Sequence, residues 1–133
     1  MSISIADRMS IHEVIALHGH LSDAGAFDRM AEVLADDIVY DMTEFGRGVV
    51  RGRIALCDMA IQLGDRNPLA HHVTNIVITA VEVDEVQAVS KGLAVNADGT
   101  TGSVTYEDTI CRTAEGWRIA RRRVIPRRKP LTP

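Results

Sequence analysis

The second half of this chain is written almost entirely in strand-forming residues, and the first half is not. After Pro68, the runs Val73 to Val83, Val86 to Val95, Ser103 to Arg112 and Trp117 to Ile125 are rich in Val, Ile and Thr. These side chains suit a pleated, half-buried surface. The pairs Asp84-Glu85, Asp98-Gly99 and Glu115-Gly116 separate the runs and read as hairpin turns. Helical periodicity dominates before Pro68. Ile11, Val14, Ile15, His18 and Leu21 form one stripe of a helix from about Ala6 to Leu21. Phe27, Met30, Ala31 and Leu34 mark a short second helix from about Ala26 to Leu34. A strand at Ile38 to Met42, a loop from Gly46 to Gly52 and a third helix from Ile54 to Leu63 complete the first half. Helices followed by an antiparallel meander predict an α+β fold, with about three helices packed on one face of the sheet.

The 133 residues are read as one domain over 1–126, with a basic tail at 127–133. No apolar run approaches the length of a membrane span. The opening Met1-Ser2-Ile3-Ser4-Ile5 is too short and uncharged for a secretory signal. Cys57 and Cys111 have neither metal-ligand nor redox spacing, so the expectation is reduced thiols and a cytoplasmic protein. Charge is divided unevenly: residues 1–111 carry 7 basic and 17 acidic side chains, and residues 112–133 carry 8 and 1. Arg121-Arg122-Arg123 and Arg127-Arg128-Lys129 could suggest a nucleic-acid partner. The chain is nonetheless acidic overall, and no aromatic residue is interleaved among those arginines to stack on bases. Pairing with the acidic body plus a solvated tail is the expectation, with no nucleic acid and no membrane as partners.

Chemistry-bearing motifs are few. No His-x-x-x-His, Cys-x-x-Cys or acidic loop offers metal ligands at metal spacing. Glycine-rich phosphate loops and nucleophile elbows are absent from the sequence as well. Neither a metal nor a nucleotide cofactor is expected, which leaves proton chemistry. For that, a carboxylate that orients an imidazole near neutral pH is the natural tool. Asp23 and the doublet His71-His72 supply the two groups. Strict strand alternation places His71, Val73 and Asn75 on one face and His72, Thr74 and Ile76 on the other.

The wording around these residues resembles a known family. Leu17-His18-Gly19-His20-Leu21-Ser22-Asp23-Ala24-Gly25-Ala26-Phe27-Asp28 leads into Leu34-Ala35-Asp36-Asp37-Ile38-Val39-Tyr40. Then come His71-His72-Val73-Thr74-Asn75 and Gly116-Trp117-Arg118-Ile119-Ala120-Arg121-Arg122. In this order, over nearly the whole chain, they resemble the SnoaL-like branch of the NTF2-like superfamily. The resemblance implies a strongly curved sheet wrapped into a cone around a ligand pocket, and assembly into a homodimer or higher homo-oligomer. Its members include scytalone dehydratase, bile-acid dehydratase, dehydrochlorinase and polyketide cyclase relatives, and also non-catalytic domains. It therefore implies a cofactor-free lyase or isomerase acting on a hydrophobic cyclic molecule. The alternative is a binding module or accessory subunit, for example of a ring-hydroxylating dioxygenase.

Carried onto this sequence, the resemblance makes Asp23 and His71 the catalytic pair. Asp23 could equally cap the second helix, and His71 could be a histidine bonded at a strand end or a subunit contact. His18 occupies a position where relatives often carry tyrosine or lysine, so it could face substrate; a core histidine bonded to a backbone carbonyl is the other reading. Tyr40, Asn75, Asn96, Tyr106 and Asp108 are candidate substrate-binding residues of second rank. Asn96 falls near the place of a second catalytic histidine in scytalone dehydratase, so a two-histidine site of that type is not reproduced.

Overall fold

The computed structural model describes residues 2–132. Helix α1 (Ile5–Asp23) starts at a reciprocal cap: the Asp7 N–H donates to Ser4 Oγ at 3.0 Å, and the Asp7 carboxylate accepts from the Ser4 N–H. Its buried face is Ile11, Val14, Ile15, His18, Gly19 and Leu21, so the stripe expected from periodicity is the stripe that packs. A 3-10 turn, Phe27–Glu32, follows where a short α-helix was expected.

Strand β1 (Leu34–Met42) begins earlier than expected and pairs antiparallel with β2 (Gly48–Arg51). That second strand occupies a stretch expected to be loop, its only strand-forming pair being Val49-Val50. Helix α2 (Arg53–Leu63) then leads into β3 (Ala70–Glu82), β4 (Glu85–Val95), β5 (Thr101–Thr113) and β6 (Gly116–Arg127). The six strands form one sheet in the order β2-β1-β6-β5-β4-β3. Every neighbouring pair is antiparallel except β1 and β6, which run parallel. The helices cover the concave face, where Ile11, Ile15, Ile38, Val86, Ile110 and Ile119 are fully enclosed.

Bulges bend the sheet. On β3 the pairing passes from Thr74↔Lys91 to Val77↔Val89, and again from Ile78↔Ala88 to Ala80↔Gln87, each time using one extra residue. On β6 the pairing passes from Ile110↔Ile119 to Thr109↔Arg121, which absorbs Ala120. An extra residue reverses the phase of the side chains beyond it. The inward residues of β3 are therefore His71 and Val73, then Ile76 and Ile78. Those of β6 are Trp117 and Ile119, then Arg122 and Val124.

Part of the basic end is paired with the acidic body. Arg112 bridges Asp7 and Asp84, Arg121 lies 3.5 Å from Asp41, and Arg123 meets Glu44 and Glu107. Among the described residues no helix is long and apolar enough to cross a membrane.

Candidate active site

Gly19 sets the distance between α1 and the first turn of β3. A Cβ there would stand 3.1 Å from Val73 Cγ2 and 3.3 Å from the His71 carbonyl oxygen, tight contacts that a bare backbone avoids at this approach. The close crossing brings the last residue of α1, Asp23, against the second residue of β3, His71.

The Asp23 carboxylate holds both the backbone and the ring of His71. The His71 N–H donates to Oδ1 at 3.0 Å and Oδ2 at 2.9 Å, while Nδ1 lies 2.7 Å from Oδ1. An ionised carboxylate only accepts, so Nδ1 carries a proton, and in a neutral ring Nε2 would keep a free lone pair. The capping alternative for Asp23 does not apply, because the Phe27–Glu32 turn is capped by Ala26 without a side-chain hydrogen bond.

A polar row crosses the concave face beside this pair. Tyr40 of β1 is registered with Arg122 of β6, and Arg122 with Asp108 of β5. The Arg122–Asp108 pair is sealed, each side chain being 1% exposed. Arg122 Nε donates to Oδ1 at 2.8 Å and Nη2 to Oδ2 at 2.9 Å, the two-pronged geometry that suits guanidinium and carboxylate. Nη1 lies 3.0 Å from His18 Nδ1. The Tyr106 ring stacks on the guanidinium at 3.9 Å. Gly92 leaves room for that ring, since a Cβ there would meet Tyr106 Cε2 at 2.5 Å.

Burial sets the protonation of this row. It works against the charge of Arg122, but the adjoining Asp108 carboxylate more than offsets it and holds the guanidinium ionised. His18 is held well below the ordinary imidazole range, first by burial, then by electrostatic interaction with Arg122 and His71. Burial likewise pushes the phenols of Tyr40 and Tyr106 up, so both remain neutral donors.

These groups face a cavity of about 190 Å³ between the sheet and the helices. Its lining includes the polar or aromatic side chains of His18, Tyr40, His71, Tyr106 and Arg122 and the apolar ones of Phe27, Met30, Leu34, Leu56, Met59 and Leu63. A few polar groups within an otherwise apolar lining suit a small, mostly hydrophobic molecule with a few polar atoms. Among the described residues no cluster of three His, Cys, Asp or Glu could hold a metal ion.

The cavity gathers His18, Tyr40, His71 and Tyr106, with Asp23 bonded to His71 and Asp108 behind Arg122. Asn75 and Asn96 lie outside its lining. Asn75 sits in the β3 bulge at φ 59° and is exposed, so it does not share the face of His71. Asn96 opens the β4–β5 turn and bonds Thr100 Oγ1 at 3.0 Å. Arg122 is a buried cavity residue that sequence reasoning missed, hidden in a run of three arginines.

Comparison with known proteins agrees with this fold. Residues 4–123 match the SnoaL-like domain family. An NTF2-like protein with a cystatin-like fold from Novosphingobium aromaticivorans is 29% identical, with a TM-score of 0.77 over 90% of this chain and 81% of that one. LinA superposes with a TM-score of 0.79 at 20% identity, covering 96% of this chain and 90% of its own. A protein assigned as a scytalone dehydratase from Novosphingobium aromaticivorans gives 0.77 at 19% identity, over 93% and 86% of the two chains. No curated protein matches by sequence. The fold is NTF2-like, and with residues 4–123 matched this chain belongs to the SnoaL-like domain family.

Proposed function

We propose that the protein is a cofactor-free enzyme that moves a carbon-bound proton of a hydrophobic cyclic small molecule, in an elimination, dehydration or isomerisation. The observation that carries this reading is the 2.7 Å contact between His71 Nδ1 and Asp23 Oδ1 on a residue that lines the cavity. His71 Nε2 takes the proton, and the Asp23 carboxylate stabilises the imidazolium that forms. A base of this kind supplies roughly 10²- to 10⁴-fold in rate. His18 and Tyr40 face the substrate oxygen that gains charge as the proton leaves. The apolar part of the lining excludes water and strengthens each of these interactions.

The test is proton NMR in D₂O against a panel of cyclic ketones, hydroxyketones and polyketide-like phenols, with wild type and Asp23→Asn side by side. An asparagine amide in this place favours the opposite His71 tautomer, with Nε2 protonated and unable to accept. Deuterium incorporation or water loss should occur with wild type and fall by about 10²-fold or more in the variant. Ligands that broaden on binding yet never exchange, with wild type and variant alike, would overturn the reading in favour of a binding module.

A further inference from the structure

We propose that Arg122 is a positioning residue that fixes His18 as its Nε2–H tautomer, making His18 a neutral hydrogen-bond donor to a carbonyl-type oxygen of the substrate. The inference rests on the acid–base reading of Asp23 and His71 for its consequence in catalysis, but not for the tautomer itself.

The argument begins with the donors of Arg122. Nε and Nη2 are committed to Asp108, which leaves Nη1 facing His18 Nδ1 at 3.0 Å. A guanidinium has only donors. Nδ1 must therefore accept, and the ring proton of a neutral imidazole then sits on Nε2. Protonating the ring would set an Nδ1–H against an N–H of Arg122 and place two cations in contact in a buried site. The titratable groups around His18 are Arg122 of β6, His71 of β3 and Tyr40 of β1, and none of them is an anion that would favour an imidazolium. Asp108 is turned away onto Arg122.

His18 Nε2 has no protein partner among the described residues, and it is not sealed either. The one fully enclosed side-chain polar atom there without a partner is Ser90 Oγ. On a residue that lines the cavity, Nε2–H is thus free for a ligand.

The cavity therefore holds imidazoles with opposite hydrogen-bonding roles. A carboxylate on Nδ1 of His71 leaves an acceptor at Nε2; a guanidinium on Nδ1 of His18 leaves a donor at Nε2. The motif that satisfies both is a C–H acid beside a carbonyl. His71 takes the proton from carbon while the C–H bonding pair becomes the enolate, whose oxygen accepts from His18. A neutral imidazole donates a hydrogen bond readily but releases that proton reluctantly. His18 is thereby suited to an enolate oxygen and poorly suited to protonating a leaving hydroxyl. The substrate class narrows to ketones and enones, with any loss of water following the enolate.

The test reads the tautomer directly. Long-range ¹H–¹⁵N correlation of the imidazole rings, with His18 identified by the signals lost in His18→Gln, should show His18 as the Nε2–H form between about pH 5 and 8, the range of an ordinary histidine. In the double variant Asp108→Leu/Arg122→Met, which replaces the buried pair by apolar side chains, His18 should become a tautomer mixture that titrates. Its exchange rate on a responsive ketone should fall by about 10-fold or more with little change in KM, as when a donor to a developing oxyanion is lost. An Nδ1–H or imidazolium His18 in the wild type would overturn the proposal, as would an unchanged tautomer in the double variant. Should that variant not fold, the wild-type spectrum alone decides. Because the spectrum needs no substrate, failure of the acid–base reading would appear separately, as exchange that Asp23→Asn does not alter.

Discussion

Asp108→Asn puts the buried ion pair to a quantitative test. Both side chains are 1% exposed, so water offers Arg122 little compensation when its partner loses charge. An asparagine offers one acceptor oxygen in place of two, and its amide N–H groups oppose those of the guanidinium. Leaving a charge buried without its counterion costs about 3–5 kcal/mol. A domain of this size has only about 5–15 kcal/mol of stability, so the loss is a large share of the whole. With a urea m-value of about 2 kcal/mol per M, the unfolding midpoint should drop by about 2 M. Trp117 is the single tryptophan of the chain. It is 4% exposed on β6, with its indole N–H donating to Asp7 at 3.0 Å, and should report unfolding by fluorescence. Asp108→Leu/Arg122→Met, which removes both charges, should recover most of the loss. A midpoint shift below about 0.5 M for Asp108→Asn, equivalent to about 1 kcal/mol, would refute the reasoning. So would a double variant no more stable than the single one.

Gly92→Ala should cost about 1–3 kcal/mol through overpacking, because the new Cβ meets the Tyr106 ring at 2.5 and 2.7 Å; in a Tyr106→Leu background the cost should largely vanish, and equal costs in both backgrounds would show that the ring is not the obstacle. Stability should also fall on acidification through His18. Its pKa is lowered in the folded state by burial, Arg122 and His71, so below about pH 6.5 the unfolded chain binds a proton that the folded chain refuses. The slope from this site approaches about 1.4 kcal/mol per pH unit below that point and is zero above it. Urea melts of wild type and His18→Gln between about pH 7.5 and 5, a window spanning the ordinary histidine pKa, should diverge on the acid side, and parallel curves would remove His18 as the cause.

Much of the fold was legible where an element keeps a single period throughout. Ile11, Val14, Ile15, His18 and Leu21 all fall on the buried face of α1, and the four C-terminal strands appear within a few residues of their expected bounds. Strands β4 and β5 alternate without interruption where Val86, Ala88, Ser90 and Gly92 on one, and Tyr106, Asp108 and Ile110 on the other, are buried. That regularity is why Tyr106 and Asp108 could be assigned to one face from the sequence. The contact of Asp23 with His71 was expected only through the resemblance. Its geometric condition is Gly19, and a glycine inside a helix gives no sign of what it lies against until the partner strand is known. Strand β2 escaped notice because four residues with two valines carry too little pattern to separate from a loop.

Phase is where periodicity failed, and it failed on the two strands that carry His71 and Arg122. Counting by twos from Trp117 leads inward through Ile119 to Arg121 and Arg123, which would bury two cations and expose Arg122. The bulge at Ala120 reverses this, so Arg122 enters the core while Arg121 and Arg123 reach Asp41, Glu44 and Glu107. On β3 the same shift turns Asn75 out and brings Ile76 in. There the sequence held a hint, since asparagine is among the few side chains that tolerate the left-handed backbone found at Asn75. At Ala120 it held none, because an alanine in a bulge looks like an alanine in a strand. The bulges thus act on shape and chemistry together. They bend the sheet around the cavity, and on β6 the same extra residue selects which of three adjacent arginines stands between Asp108 and His18. A surface charge run becomes a buried cation whose remaining N–H sets the tautomer of the imidazole beside it.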